Sequence, residues 1–96
     1  MIKPGLPYLD MVRRVVETYQ KPTFAFQVWG EYAMIKAAAA NGWLDEDRAI
    51  LESLSVFKRV GTTVVITYFA LQAARVLGAL VRGQPNVLKQ IRRCLI

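Results

Sequence analysis

Two short apolar segments, each followed by a helical pattern, constrain the fold of this 96-residue chain more than any other feature. Residues 23–29 are rich in aromatic side chains and residues 62–69 in β-branched ones, as strands are. Near-continuous apolar runs are typical of strands that are buried on both faces of a parallel sheet. Because helical patterns separate the two runs, their order predicts an α/β fold built of βα units.

Helices are predicted over residues 7–19, 31–41 and 70–80, and from Asp45 to Gly61. Asn41-Gly42 and Gly61 are stop signals, and the acidic residues that begin at Asp45 favour a helix start. Residues 86–96 are expected to form either a short basic helix or a loose tail. Two complete strands cannot give a stable parallel sheet with both faces covered, so we expect the chain to be a slice of a larger fold.

The charge of the chain is uneven along its length. Through Glu52 there are six Lys/Arg and seven Asp/Glu, and beyond it there are seven Lys/Arg and no acid, which gives the net charge of +6. A basic half could suit nucleic acid or an anionic membrane. These charges are spread out and not interleaved with aromatic residues, so solvated helix faces explain them as well. We expect neither a nucleic acid nor a membrane as partner.

Cysteine and histidine content limits the chemistry further. The single Cys94 cannot form an internal disulfide, and without histidine there is no Cys/His metal set. A reducing, cytoplasmic compartment is expected. Residues 60–81 are long enough to span a bilayer, but Gln72 and Arg75 fall within them, which favours a buried strand followed by an amphipathic helix.

Chemistry in β/α folds gathers at the C-terminal ends of strands. Lys3 follows Met1-Ile2, which could end a truncated strand. Residues 26–29 close the next strand, and Tyr68 closes the last. A lysine forms Schiff bases with carbonyl substrates, and the prolines and glycine that follow Lys3 stiffen its backbone.

Each of these residues has a structural interpretation as well. A lysine near a chain end is usually a solvated charge, and Tyr68 could be a half-buried strand aromatic. Glu31 and Glu52 are isolated, and helix-surface or capping roles suffice for both. The sequence has no Gly-rich phosphate loop, carboxylate pair, Ser/His/Asp set or metal-ligand spacing.

Four segments carry a family resemblance, in order and in register: KPGLPYLD (3–10), FQVWGEYAM (26–34), LESL (51–54) and ITYF (66–69). Over residues 1–76 the chain resembles the C-terminal part of delta-aminolevulinic acid dehydratase, also called porphobilinogen synthase. The resemblance implies that residues 1–81 are C-terminal βα units of a (β/α)8 TIM barrel, incomplete as an isolated chain. Residues 82–96 are then a divergent basic tail.

The resemblance also implies a function. The family is a lyase of tetrapyrrole and haem biosynthesis that condenses two 5-aminolevulinate molecules to porphobilinogen. Lys3 matches the lysine that forms a Schiff base with the 4-oxo group of the substrate, and Tyr68 matches a tyrosine that binds a substrate carboxylate. The family is a homo-octamer that uses zinc or magnesium, and the resemblance places the metal ligands and the octamer-building arm upstream of Met1.

Two departures from the family pattern affect the expected site. Where the family has Tyr-x-Val-Ser-Gly-Glu, this chain has Phe26 at the tyrosine position and Trp29 at the serine position. Phe26 lacks a hydroxyl, and Trp29 is expected to fill part of the pocket. We expect little activity from the isolated chain, which should expose sheet edges and an apolar face. The alternative is a non-catalytic remnant that acts as an interaction protein through that face or the basic tail.

Overall fold

A computed structural model describes the backbone of residues 1–81 and the side chains of residues 1–78. The described part is α/β, as predicted. A short 3-10 turn, Leu6–Tyr8, precedes the first helix. The remaining elements are, in order, α1 (Leu9–Tyr19), β1 (Phe24–Gln27), α2 (Trp29–Ala40), α3 (Glu46–Arg59), β2 (Val64–Thr67) and α4 (Ala70–Val81).

β1 and β2 pair in parallel, which confirms the predicted sheet type. Phe24 lies opposite Val64, and the register continues to Gln27 opposite Thr67. Ile2 adds a single parallel bridge to Ala25 on the other side of β1. Ile2 therefore lies beside β1 in parallel, where the sequence predicts the end of a strand.

The two faces of the sheet differ in burial, and the prediction of strands buried on both faces is wrong for this chain. Ala25, Gln27, Val65 and Thr67 are buried on one face. The alternate residues on the other face are only partly covered, and Phe24 is 40% exposed. Helices cover one side of the sheet, and no described element covers the other, so the strands show the alternation of a half-buried sheet.

The core lies between the covered sheet face and the helices. Ile50, Leu54 and Phe57 of α3 pack with Ala25 and Val65 of the strands. Val12 of α1 and residues of the β2–α4 region complete the cluster. All of these side chains are nearly inaccessible to solvent, so α3 is the main cover of the sheet.

The ends of β1 and α3 show how local signals compete. The strand prediction extended to Trp29, but β1 ends at Gln27 and Trp29 is the first residue of α2. The Glu31 carboxylate accepts the backbone N–H of Val28 at 2.7 Å, which makes Val28 the N-cap and starts the helix early. Gly61 ends α3 as predicted, with a φ of +95° that favours glycine.

The membrane and tail predictions have different outcomes. In residues 1–81, no helix combines the length and the apolar character that crossing a bilayer requires. Residues 60–81 form the end of a helical turn, β2 and α4, as the alternative interpretation predicted. The short helix or loose tail predicted over residues 86–96 lies outside the described residues.

Gly5 is the point where the N-terminal segment touches the core. A Cβ on Gly5 would lie 2.5 Å and 2.6 Å from two ring atoms of Phe57, which is fully buried. The ring is held by the core on its other sides, so it cannot move away freely. Only glycine therefore lets the segment after Lys3 lie directly on α3.

Lys36, Glu46 and Gln72 connect the three later helices. The Lys36 ammonium lies 2.5 Å from Glu46 Oε1 and donates to Gln72 Oε1 at 3.1 Å. The hydrogen bond from Lys36 holds the pKa of Glu46 below its ordinary value, and the same bond raises the pKa of Lys36. About a third of each side chain is exposed, which limits the strength of this pair.

The Lys36–Glu46 pair should make stability depend on pH at both extremes. Because the pKa of Glu46 is lowered, its contribution is present above the ordinary value of 4.5 and is lost as the pH falls through the lowered pKa. Because the pKa of Lys36 is raised, its contribution is present below 10.5 and is lost as the pH rises beyond it. Glu46→Gln should therefore reduce, by about 0.5 kcal/mol, the free energy of unfolding that is lost as the pH falls through the pKa of Glu46. Urea unfolding at a series of pH values measures this difference. Glu17→Gln, on an exposed pair, serves as control.

Gly5→Ala should destabilise the chain by about 1–3 kcal/mol, because its methyl group would overlap the Phe57 ring. Gly30→Ala is the matched control, since a Cβ at Gly30 meets nothing within 4 Å and alanine favours the α2 helix. Urea unfolding followed by circular dichroism compares the two variants. Equal stability of both would contradict the close packing at Gly5.

Candidate functional site

The segment from Lys3 to Pro7, here called the lysine loop, is fixed to the sheet on both sides of the lysine. Ile2 donates its N–H to the Phe24 carbonyl at 2.8 Å, and its own carbonyl accepts the Phe26 N–H at 2.9 Å. Gly5 donates to the Phe26 carbonyl at 2.9 Å. Only Lys3 and Pro4 lie between these two anchors, so the backbone position of Lys3 is narrowly defined.

Strand alternation assigns Lys3 to a face of the sheet. Ile2 packs against the core on the helix-covered side. Successive side chains of a strand point to opposite faces, so Lys3 belongs to the open face, level with Phe26 and Ile66 in the register. The Lys3 side chain is exposed. Tyr68 follows Ile66 by two residues at the C-terminal end of β2, on this same side.

Five rings form one aromatic cluster at the C-terminal ends of the strands: Phe26, Trp29, Tyr32, Tyr68 and Phe69. Trp29 and Tyr68 meet edge to face with their centroids 5.3 Å apart, and Phe26 and Tyr68 are 6.1 Å apart. Trp29 is 60% exposed and Tyr68 54% exposed. The cluster therefore presents an open aromatic surface rather than a closed pocket.

A buried polar network lies beneath the cluster. Thr67 Oγ1 donates to Gln27 Oε1 at 2.6 Å, and Gln27 Nε2 donates to Ser53 Oγ at 3.1 Å. Thr67 Oγ1 also accepts the backbone N–H of Phe69 at 3.0 Å. Since Tyr68 lies between Thr67 and Phe69, the network fixes the turn that carries it.

Glu31 is a site-region residue that the sequence interpretation described incompletely. Its capping role is confirmed by the bond to Val28, but the side chain is 3% exposed and does not lie on the helix surface. Its carboxylate also accepts the N–H groups of Leu6, at 2.6 Å, and Gly5, at 3.2 Å. The position of Glu31 three residues after the N-cap predicts the cap alone, because the other two donors come from a distant segment.

The structure brings together three of the four predicted site residues in direct ring contact: Phe26, Trp29 and Tyr68. Lys3 is placed on the same face by the sheet register. The roles assigned to the four residues stay predictions. Within the described part of the chain, no three His, Cys, Asp or Glu side chains lie together as a metal site requires.

Comparison with known proteins gives one consistent result. The family model for delta-aminolevulinic acid dehydratase matches residues 1–76. The chain is 65% identical over 77 residues to the delta-aminolevulinic acid dehydratase of Bradyrhizobium diazoefficiens, covering 80% of this chain and 22% of that protein. It is 56% identical over 79 residues to the Rhodobacter capsulatus enzyme, covering 82% and 24% respectively.

A solved structure agrees with the sequence matches. The Toxoplasma gondii delta-aminolevulinic acid dehydratase (porphobilinogen synthase), in complex with the reaction product porphobilinogen, superposes with a TM-score of 0.83 at 43% identity. The match covers 90% of this chain and 24% of that one. The chain thus spans about a quarter of the length of the relatives it matches. Because the matched residues include most of the chain, it belongs to the delta-aminolevulinic acid dehydratase family.

Proposed function

We propose that the chain is the C-terminal set of βα units of a porphobilinogen synthase barrel and carries its Schiff-base lysine, Lys3. The carrying observation is the position of Lys3: it follows a strand end, lies level with Phe26 in the sheet, and is held between two backbone anchors. The half-covered sheet supports the barrel assignment, since the open face is where a closed barrel would hold its inner side chains.

The proposed chemistry is imine formation with the ketone of 5-aminolevulinate. The neutral Lys3 amine adds its electron pair to the ketone carbon; the nitrogen then releases a proton to solvent and the oxygen takes one up, which gives a carbinolamine. The hydroxyl takes up a second proton and leaves as water, and the resulting iminium ion returns its N–H proton to solvent. A fixed backbone at Lys3 favours this step because it limits the geometries that the amine must search.

The other site residues would bind and orient the substrate. The Tyr68 hydroxyl lies at the strand end and can donate a hydrogen bond to a substrate carboxylate. Phe26 contributes a ring without a hydroxyl, and Trp29 covers Tyr68 edge-on with an indole. The Trp29 ring would therefore compete with the substrate for access to the Tyr68 side of the site.

The metal, the octamer and the cytoplasmic location stay predictions from the family resemblance. The described residues offer no metal-ligand set, so no step of the proposed chemistry is assigned to zinc or magnesium. Three curated relatives, from Selaginella martensii, Physcomitrium patens and Chlamydomonas reinhardtii, are named as chloroplastic. Complete turnover needs groups that the described residues do not supply, so we expect imine formation on this chain without porphobilinogen.

Reductive trapping tests the role of Lys3. The purified chain with 5-aminolevulinate and borohydride should gain the mass of one reduced substrate on the peptide that contains Lys3. Lys3→Arg should lose this adduct because a guanidinium does not form the imine, whereas Lys21→Arg, at an exposed position, should keep it. Absence of an adduct on wild-type Lys3 would refute the proposed site, and porphobilinogen formation would refute the expected lack of turnover.

Trp29→Ser should increase the trapping rate at Lys3, by about tenfold, because it removes the indole beside Tyr68 and introduces a small hydroxyl group. Trp43→Ser is the matched control, since Trp43 is 77% exposed and takes no part in the aromatic cluster. Peptide mapping of both variants over a time course measures the rate. An unchanged or slower rate in Trp29→Ser would show that the indole does not obstruct the site.

The non-catalytic alternative has one observation in its favour. The open sheet face carries apolar side chains, including Phe24, that a partner could cover. The basic tail, its second proposed surface, lies outside the described residues. A chain that traps no substrate on Lys3 but forms stable complexes, which a Phe24→Lys substitution disrupts, would favour this alternative.

A further inference from the structure

The Glu31 carboxylate joins the lysine loop to the start of α2. In the sequence, α1 and β1 separate these two segments. We propose that Glu31 is a positioning residue for the Lys3 amine: it holds the lysine loop in the geometry from which Lys3 meets the substrate. This inference deepens the proposed function and rests on the role given there to Lys3.

Three backbone N–H groups donate to the two oxygens of this carboxylate. Oε1 accepts Leu6 at 2.6 Å, and Oε2 accepts Val28 at 2.7 Å and Gly5 at 3.2 Å. Glu31 is 3% exposed, and it forms no ion pair with any lysine or arginine in the described residues. A buried carboxylate depends on such donors, so withdrawal of the loop would leave a poorly solvated charge.

The bonds to Glu31 act close to the reactive side chain. On the N-terminal side, Lys3 follows the backbone pairing of Ile2 with β1. On the C-terminal side, Gly5 donates its N–H to the Phe26 carbonyl at 2.9 Å and also to Glu31 Oε2 at 3.2 Å, and Leu6 donates to Glu31 Oε1 at 2.6 Å. Pro4 has a fixed φ and no N–H, so the backbone around Lys3 has little remaining freedom once Glu31 is in place.

The same carboxylate also fixes the backbone next to the aromatic cluster. Val28, whose N–H it accepts, directly precedes Trp29 of the aromatic cluster. One side chain thus fixes the lysine loop relative to the aromatic surface that would contact the substrate. A cap that served α2 alone would need only the bond to Val28.

Two substitutions separate the loop contact from the helix cap. Glu31→Gln keeps one acceptor oxygen, which can remain with Val28 and Gly5, but it places an NH₂ group opposite the Leu6 N–H. Glu31→Asp keeps the charge near the N-terminus of α2 but is one methylene shorter and does not reach Leu6. Glu52→Gln is the matched control, because Glu52 is an exposed helical glutamate.

The experiment uses the full 96-residue chain with 5-aminolevulinate and cyanoborohydride, and peptide mapping gives the adduct rate at each lysine. We expect both Glu31 variants to slow trapping at Lys3 by about tenfold or more, with Lys21 and Lys58 unaffected as internal references. Glu52→Gln should react as the wild type does. Wild-type trapping rates at Lys3 in both Glu31 variants would overturn the proposal.

Amide hydrogen exchange distinguishes failure of this inference from failure of the proposed function. In the wild type the Leu6 and Val28 amides should both be protected, and in Glu31→Gln only Leu6 should exchange faster. If wild-type Lys3 traps no substrate, the proposed function fails, while this exchange pattern still decides whether Glu31 holds the loop. A Leu6 amide that exchanges freely in the wild type overturns the proposal even if neither variant folds.

Discussion

Parallel pairing of β1 with β2, and of Ile2 with β1, is the constraint on which the rest of the described structure depends. The pairing aligns three segments so that their C-terminal ends reach the same edge. Lys3, the aromatic cluster and Tyr68 come together because they follow those ends. The helices then add burial on one face, with α3 supplying Ile50, Leu54 and Phe57 to the core.

The two faces of the sheet differ because helices cover only one of them. The covered face has close packing, a satisfied polar network and a glycine contact against Phe57 that tolerates no side chain. The open face retains partly exposed apolar residues such as Phe24. A parallel sheet with one open face supports the proposal that these βα units are part of a barrel.

In the candidate site the backbone of Lys3 is held rigidly, whereas the side chains of Phe26 and Trp29 differ from those expected from the family resemblance. The lysine loop is held by the sheet on one side and by buried groups on the other, whereas the aromatic surface beside it is open. Trp29 and Phe26 make that surface more apolar than the family pattern would. The proposed imine formation and the expected lack of turnover have separate physical origins. Imine formation depends on the Lys3 amine alone, whereas turnover needs further groups that the described residues do not supply.

The sequence by itself determined the βα order, the parallel sheet, the helix stops at Asn41-Gly42 and Gly61, and the family, because these depend on local periodicity, turn chemistry and contiguous motifs. Only the tertiary structure decided that Trp29 begins a helix, that one sheet face stays open, and that Glu31 bonds Gly5 and Leu6. The helix start at Trp29 reflects a competition between the apolar strand signal and the local Glu31 cap at Val28. The open face and the loop bonds depend on groups distant in sequence, and no local pattern records which distant donors reach a buried carboxylate.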